Sequence, residues 1–253
     1  MEKIIKYYRE ILGIDLTNLE HPIAKKIASL PSSLKIDQKI KEHHLQILGL
    51  SLMDIKEYNE KIYEYYLKRI INNKDISVYG HFFEINQCAH FIRVSQEKKL
   101  DFEFGDANND EPDFIVNKFG FEITSSRFSD ESNKTNPGSK LLAKFREKNH
   151  KHYAERDCVL IIDINQMSYH TLKNGKPVSP TFEEVRETVK NESNFGLVIF
   201  LVEWIDRTEN IHFKGTAYTE YHRDCDSNLK VMMEEKFMTE KNTFEGQILI
   251  SPN

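Results

Sequence analysis

Two carboxylates nine positions apart, Asp113 and Glu122, stand in the stretch of this chain best suited to chemistry. Between them lie two short runs rich in Phe, Ile and Val, separated by Asn117-Lys118-Phe119-Gly120. That pattern predicts a β-hairpin with a turn ending in Gly120. With Val116 placed opposite Phe121, Ile115 faces Glu122, Phe114 faces Ile123 and Asp113 faces Thr124. Side chains alternate across a strand, so Phe114, Val116, Phe121 and Ile123 share an apolar face, while Asp113, Ile115, Glu122 and Thr124 share the other. Two converging carboxylates suit a hard divalent cation, because Mg²⁺ is commonly held by one or two carboxylates with waters and substrate phosphate. A half-buried hairpin with an ordinary solvated polar face explains the same alternation.

Two further residues stand out against apolar surroundings. A helix expected from about Ser77 to Val94 carries Phe82, Phe83, Ile85, Cys88, Ala89, Phe91 and Ile92 round most of its circumference, and Glu84 sits among them. A helix apolar nearly all round is buried. A carboxylate inside it needs a cation, a hydrogen-bond partner or a proton, and a structural Arg or Lys would serve as well as a metal site. A second helix, expected from Ser139 to about Glu155, has Leu141, Leu142, Phe145 and Tyr153 on its buried face. Lys148 and His152 fall within or beside that face, whereas Lys140, Lys144 and Lys151 lie toward its rim. Snorkelling along an apolar surface is the ordinary explanation for such a lysine.

The elements that would position these residues follow from periodicity. Residues 1 to about 72 read as helices only, punctuated by Pro22, Pro31 and Gly49, which gives a helical accessory subdomain 1–72 ahead of a domain 73–253. Leu100–Phe104 alternates as a strand, and Gly105–Glu111 is a polar loop without the spacing of a calcium loop. The Ser125–Gly138 stretch reads as a mobile loop. Cys158–Ile164 and Leu197–Val202 are continuous apolar runs, the mark of strands covered on both faces. A helix from Ser179-Pro180 to about Lys190 connects them, Ile211–Tyr221 suggests an edge strand, and Gln247–Ile250 a last short one.

With 253 residues, 39% hydrophobic and 30% charged, the composition is that of a globular protein, and the order of expected helices and buried strands makes its class α/β. There is no run apolar enough for a membrane span or a signal peptide, so no membrane association and a cytoplasmic location are expected. The three cysteines, Cys88, Cys158 and Cys225, lack the paired spacing of a zinc site. A net charge of −5 excludes a broadly basic surface but not a basic groove.

The order buried helix, strand, hairpin, helix, buried strand, helix, buried strand, with an acid on the first helix, Pro112-Asp113 entering the hairpin and Glu122-Ile-Thr124 leaving it, resembles the PD-(D/E)xK, or restriction-endonuclease-like, nuclease superfamily. The resemblance covers about residues 77–204. It implies a mixed central sheet flanked by helices (αβββαβ) and a Mg²⁺- or Mn²⁺-dependent nuclease, with DNA the expected substrate in a restriction or phage-defence setting. Asp113, Glu122 and Glu84 would be the metal-binding acids, with the Ile123 carbonyl as a further ligand. Thr124 stands where the family usually has lysine. Divergent members carry that lysine on the following helix, which points to Lys148, with His152 beside it. An inactivated member of the fold, binding nucleic acid or a protein, is the alternative. A homodimer, or a partner held by the helical N-terminal region, is compatible with either.

Overall fold

The computed structural model describes residues 1–21, 23–25, 35–72, 78–106, 110–126, 136–165, 167, 179–206 and 212–238. The chain divides into two compact units, Met1–Arg93 and Val94–Ser251. The division falls inside a long helix, Val78–Lys98. The strand expected at Gln247–Ile250 and most of the Ser125–Gly138 loop lie outside the described residues.

In the first unit the described elements are helical: α1 (Glu2–Ile11), α2 (Lys35–Tyr58), α3 (Glu60–Ile71) and most of α4 (Val78–Lys98). Tyr8, fully buried, donates its hydroxyl to the Leu45 carbonyl at 2.7 Å and so ties α1 to α2. Asn59 starts α3 by accepting from the amides of Lys61 and Ile62. On α4, Phe83, Ile85, Cys88, Ala89, Phe91 and Ile92 are all buried, as their near-continuous apolar pattern requires. Among the described residues no helix is long and apolar enough to cross a membrane.

The second unit is α/β, with a mixed six-stranded sheet in simple sequential order. Strands β1 (Phe102–Phe104), β2 (Phe114–Val116) and β3 (Phe119–Ser125) form an antiparallel meander. After α5 (Pro137–Asn149), β4 (Cys158–Asp163) lies parallel to β3; after α6 (Phe182–Glu192), β5 (Leu197–Asp206) lies parallel to β4. Strand β6 (His212–Tyr221) returns antiparallel to β5, and α7 (Ser227–Met232) follows. Every residue of β4 is buried, as its uninterrupted apolar sequence demands.

One sheet face packs on α5 and α6. Leu141 and Phe145 of α5 and Val185 and Val189 of α6 meet Leu160, Ile162, Val198 and Phe200 in one core. Truncating any of these large side chains to Ala would cost about 2–5 kcal/mol. The other face of the meander carries a phenylalanine ladder: Phe102 stacks on Phe114, and Phe114 on Phe121, each at 5.2 Å between ring centroids.

The hairpin register differs from the expected one by two residues. Phe114 pairs with Phe121 and Val116 with Phe119, so the turn is the two-residue Asn117-Lys118 rather than a longer one reaching Gly120. Both turn residues have positive φ, 47° and 75°, as the primed turns that match strand twist require. Because the shift is even, each side chain keeps its predicted face. Replacing Lys118, a side chain held at positive φ, by Gly should raise stability by about 0.5–1 kcal/mol in urea unfolding. A loss of stability would show that the lysine's own contacts outweigh the backbone strain.

Candidate active site

Carrying the observed register one residue past Phe114–Phe121 sets Asp113 directly across from Glu122, not diagonal to it. Two glycines make this approach possible. A Cβ on Gly105 would lie 1.7 Å from the Pro112 carbonyl oxygen, and the Gly105 amide donates to the Asp113 carbonyl at 3.1 Å. A Cβ on Gly120 would stand 2.9 Å from Pro112 Cγ and 2.8 Å from Cys158 Sγ. The Pro112-Asp113 segment is thus gripped between two side-chain-free positions. One Asp113 oxygen, Oδ2, accepts the Ile123 amide at 2.6 Å, which fixes the carboxylate against β3. Ile123 therefore meets Asp113 through its N–H.

Glu122 is 3% exposed and lies on the face that packs against α5 and α6. Its neighbours along the sheet are Leu160 and, beyond that, Val198, both fully buried. A carboxylate in such a place is strongly destabilising unless it is neutralised and hydrogen-bonded. Both needs are met. The Lys148 ammonium donates to Oε1 in an ion pair, and the Tyr153 hydroxyl donates to Oε2 at 2.8 Å. Burial alone would lower the Lys148 pKa, but the charges of Glu122 and then Asp113 more than reverse this, holding it above the ordinary lysine value. Burial, then the negative charges of Glu122, Asp113 and Asp110, raise the pKa of Tyr153, so its hydroxyl stays a proton donor.

Local sequence explains how α5 delivers these groups. Asn136 caps it by accepting from the amides of Gly138 (2.8 Å) and Ser139 (3.3 Å), with Pro137 at the first turn. The helix does not reach Glu155, as periodicity suggested; it stops at Asn149. The buried Asn149 side chain donates to the Glu192 carbonyl and accepts the Asn194 amide, while the Asn194 side chain donates to the Asn149 carbonyl. These long-range bonds take the backbone out of the helix, and tight turns, Lys148 to Lys151 and Lys151 to Ala154, follow. Tyr153 consequently approaches Glu122 from a turn, not from a helical face.

His152 leaves the helix with that turn. It stands 65% exposed with Nδ1 3.0 Å from Asp110, whose carboxylate also accepts Lys151 at 2.6 Å. Lys151, its hydrogen bond the larger influence, together with His152 holds the Asp110 carboxyl below its usual range. Glu84 belongs to the first unit, where Arg69 lies 3.5 Å and His81 3.7 Å from its carboxylate; a structural arginine answers its charge there. Asp113, Glu122 and Lys148 are therefore brought together, and Tyr153 joins them. Tyr153 was expected only to fill the core, and its hydroxyl was the one signal of a polar partner.

Asp113 and Glu122 are the side chains that could hold a Mg²⁺ or Mn²⁺ ion. Asp113 and Glu122 are opposed oxygen donors, and their two negative charges exceed the single positive charge of Lys148. No three His, Cys, Asp or Glu side chains converge as a metal cage among the described residues. Mg²⁺ does not need one, since it keeps several waters and takes one or two carboxylates.

Tyr153→Phe removes one donor from a buried carboxylate without changing shape, and should cost about 1.5–3 kcal/mol in urea unfolding. An unchanged unfolding midpoint would mean that Glu122 does not depend on the phenol. No protein-family model, curated protein or solved structure matches the chain.

Proposed function

We propose that the chain is a metal-dependent nuclease, cutting phosphodiester bonds with Asp113 and Glu122 as the metal-holding acids and Lys148 as the cationic group. The observation that carries the reading is the Lys148–Glu122 ion pair opposite Asp113, formed across 26 residues of sequence. It supplies from α5 the positive charge that Thr124 cannot. The order of meander, helix and parallel strand, with Pro112-Asp113 entering and Glu122 leaving the hairpin, also agrees with the nuclease superfamily that the sequence resembles.

Mg²⁺ or Mn²⁺, when bound, would polarise the phosphate and lower the pKa of a coordinated water. Asp113 would hold its carboxylate in place through the Ile123 amide, and Tyr153 would fix the orientation of Glu122. Lys148 would neutralise charge on the phosphate as it passes through the transition state, at a largely buried position that strengthens the attraction. Lys140, Lys144 and Lys151, on the same helix and the turn after it, would give a polyanion basic groups to follow despite the net charge of −5. Duplex DNA is the expected polymer, and the restriction or phage-defence setting belongs to the same proposal.

The test is incubation of the full chain with plasmid, linear duplex, single-stranded DNA and RNA, with and without Mg²⁺ or Mn²⁺. Cleavage should require the metal and be lost in Asp113→Ala and Glu122→Ala proteins. Lys148→Met should lower turnover about a hundredfold or more. Lys144→Met, which removes a lysine paired at the surface with Glu147, should leave turnover at saturating substrate intact and weaken nucleic-acid binding modestly. Full activity in Glu122→Ala would overturn the assignment.

A further inference from the structure

The Lys148 ammonium sits on the same carboxylate that a metal ion would use. Glu122 has one oxygen engaged by Lys148 and the other by Tyr153, and it is almost entirely shielded from water. Asp113 and Glu147 also act on the Lys148 charge, so the ammonium lies within the field of both proposed metal-holding acids. A divalent cation entering while the lysine remains would place three positive charges against the two carboxylates, and like charges at such separations repel strongly in a partly buried site. From this geometry we infer that Lys148 is a built-in counter-ion: it keeps metal affinity low in the free protein and is released to the phosphodiester when nucleic acid binds.

This rests on the nuclease reading and adds regulation to it. The metal and the nucleic acid then bind cooperatively, because the phosphate gives the displaced ammonium a new anionic partner just as the cation replaces it on Glu122. Thermodynamic linkage makes the coupling reciprocal, so metal also tightens nucleic-acid binding. Tyr153 does not compete in this way, since a neutral hydroxyl can keep its hydrogen bond to a carboxylate that also holds a cation.

Mn²⁺ binding to the full chain, followed through the electron-spin resonance of free Mn²⁺, tests the inference without relying on turnover. Lys148→Met should bind Mn²⁺ about tenfold or more tightly than the wild type. Adding Mn²⁺ should raise the melting temperature of the variant far more than that of the wild type, because in the variant the cation replaces the positive charge that Lys148 supplies to Glu122. Lys148→Gln, which retains a hydrogen-bond donor, should show the same gain in affinity. In calorimetry with Ca²⁺, a short duplex whose integrity is verified afterwards should tighten metal binding to the wild type by a clearly larger factor than to Lys148→Met, where only direct phosphate ligation remains.

Equal Mn²⁺ affinity in wild type and variants would overturn the counter-ion while leaving metal-dependent cleavage standing. Failure of both variants to fold at any Mn²⁺ concentration would also overturn it, since the ammonium would then not be replaceable by a cation. Equal tightening by duplex DNA in the wild type and in Lys148→Met would refute the release to phosphate. Absence of Mn²⁺ binding in every protein, with or without DNA, would remove the nuclease reading itself.

Discussion

A carboxylate with 3% exposure in the middle of an α/β core is the constraint on which the second unit depends. Glu122 shares its sheet face with Leu160 and Val198, where an unpaired charge could not be accommodated. A cation must reach it from α5 and a hydroxyl from the turn beyond, so the length of α5 is set by this need as much as by helix propensity. Asn149, bonded to Glu192 and Asn194, ends the helix one residue after Lys148, which lets both donors arrive at one carboxylate from different backbone directions.

Steric room on the opposite side of Glu122 is the second condition. Asp113 faces it because Pro112 can settle between Gly105 and Gly120, where any side chain would collide with backbone or ring atoms. The phenylalanine ladder on the reverse of the meander holds the strands in register while the polar face assembles. Apolar packing on one face and charge pairing on the other are thus consequences of a single alternation.

Charge distribution reconciles an acidic chain with the polyanionic substrate proposed for it. The net charge of −5 is an average over the molecule, whereas recognition is local. Around the site, carboxylates and ammonium groups lie close together: Glu122 with Lys148, Asp110 with Lys151, Glu147 with Lys144. Under the proposed function, a site arranged this way would keep its cations compensated until a stronger anion replaced the carboxylates. Such exchange favours binding that is conditional on the correct ligand over indiscriminate attraction.

Periodicity and alternation in the sequence determined the α/β class, the fully buried β4, the sharing of one face by Asp113 and Glu122, and the inward direction of Lys148. Each follows from local rules of spacing that hold whatever the neighbouring elements do. The hairpin register was not available to the same reasoning, because a shift of two residues preserves every face and only the positive φ of Asn117 and Lys118 distinguishes the two turns. The end of α5 was hidden for another reason: Asn149 is stopped by partners more than forty residues away, which no window on the sequence contains. For the same reason Tyr153 read as a core aromatic and His152 as a neighbour of the site; the folded chain sends the first to Glu122 and the second to Asp110. Tertiary structure made those choices because a buried charge draws its partners from wherever the fold brings donors within reach, without regard to their distance along the chain.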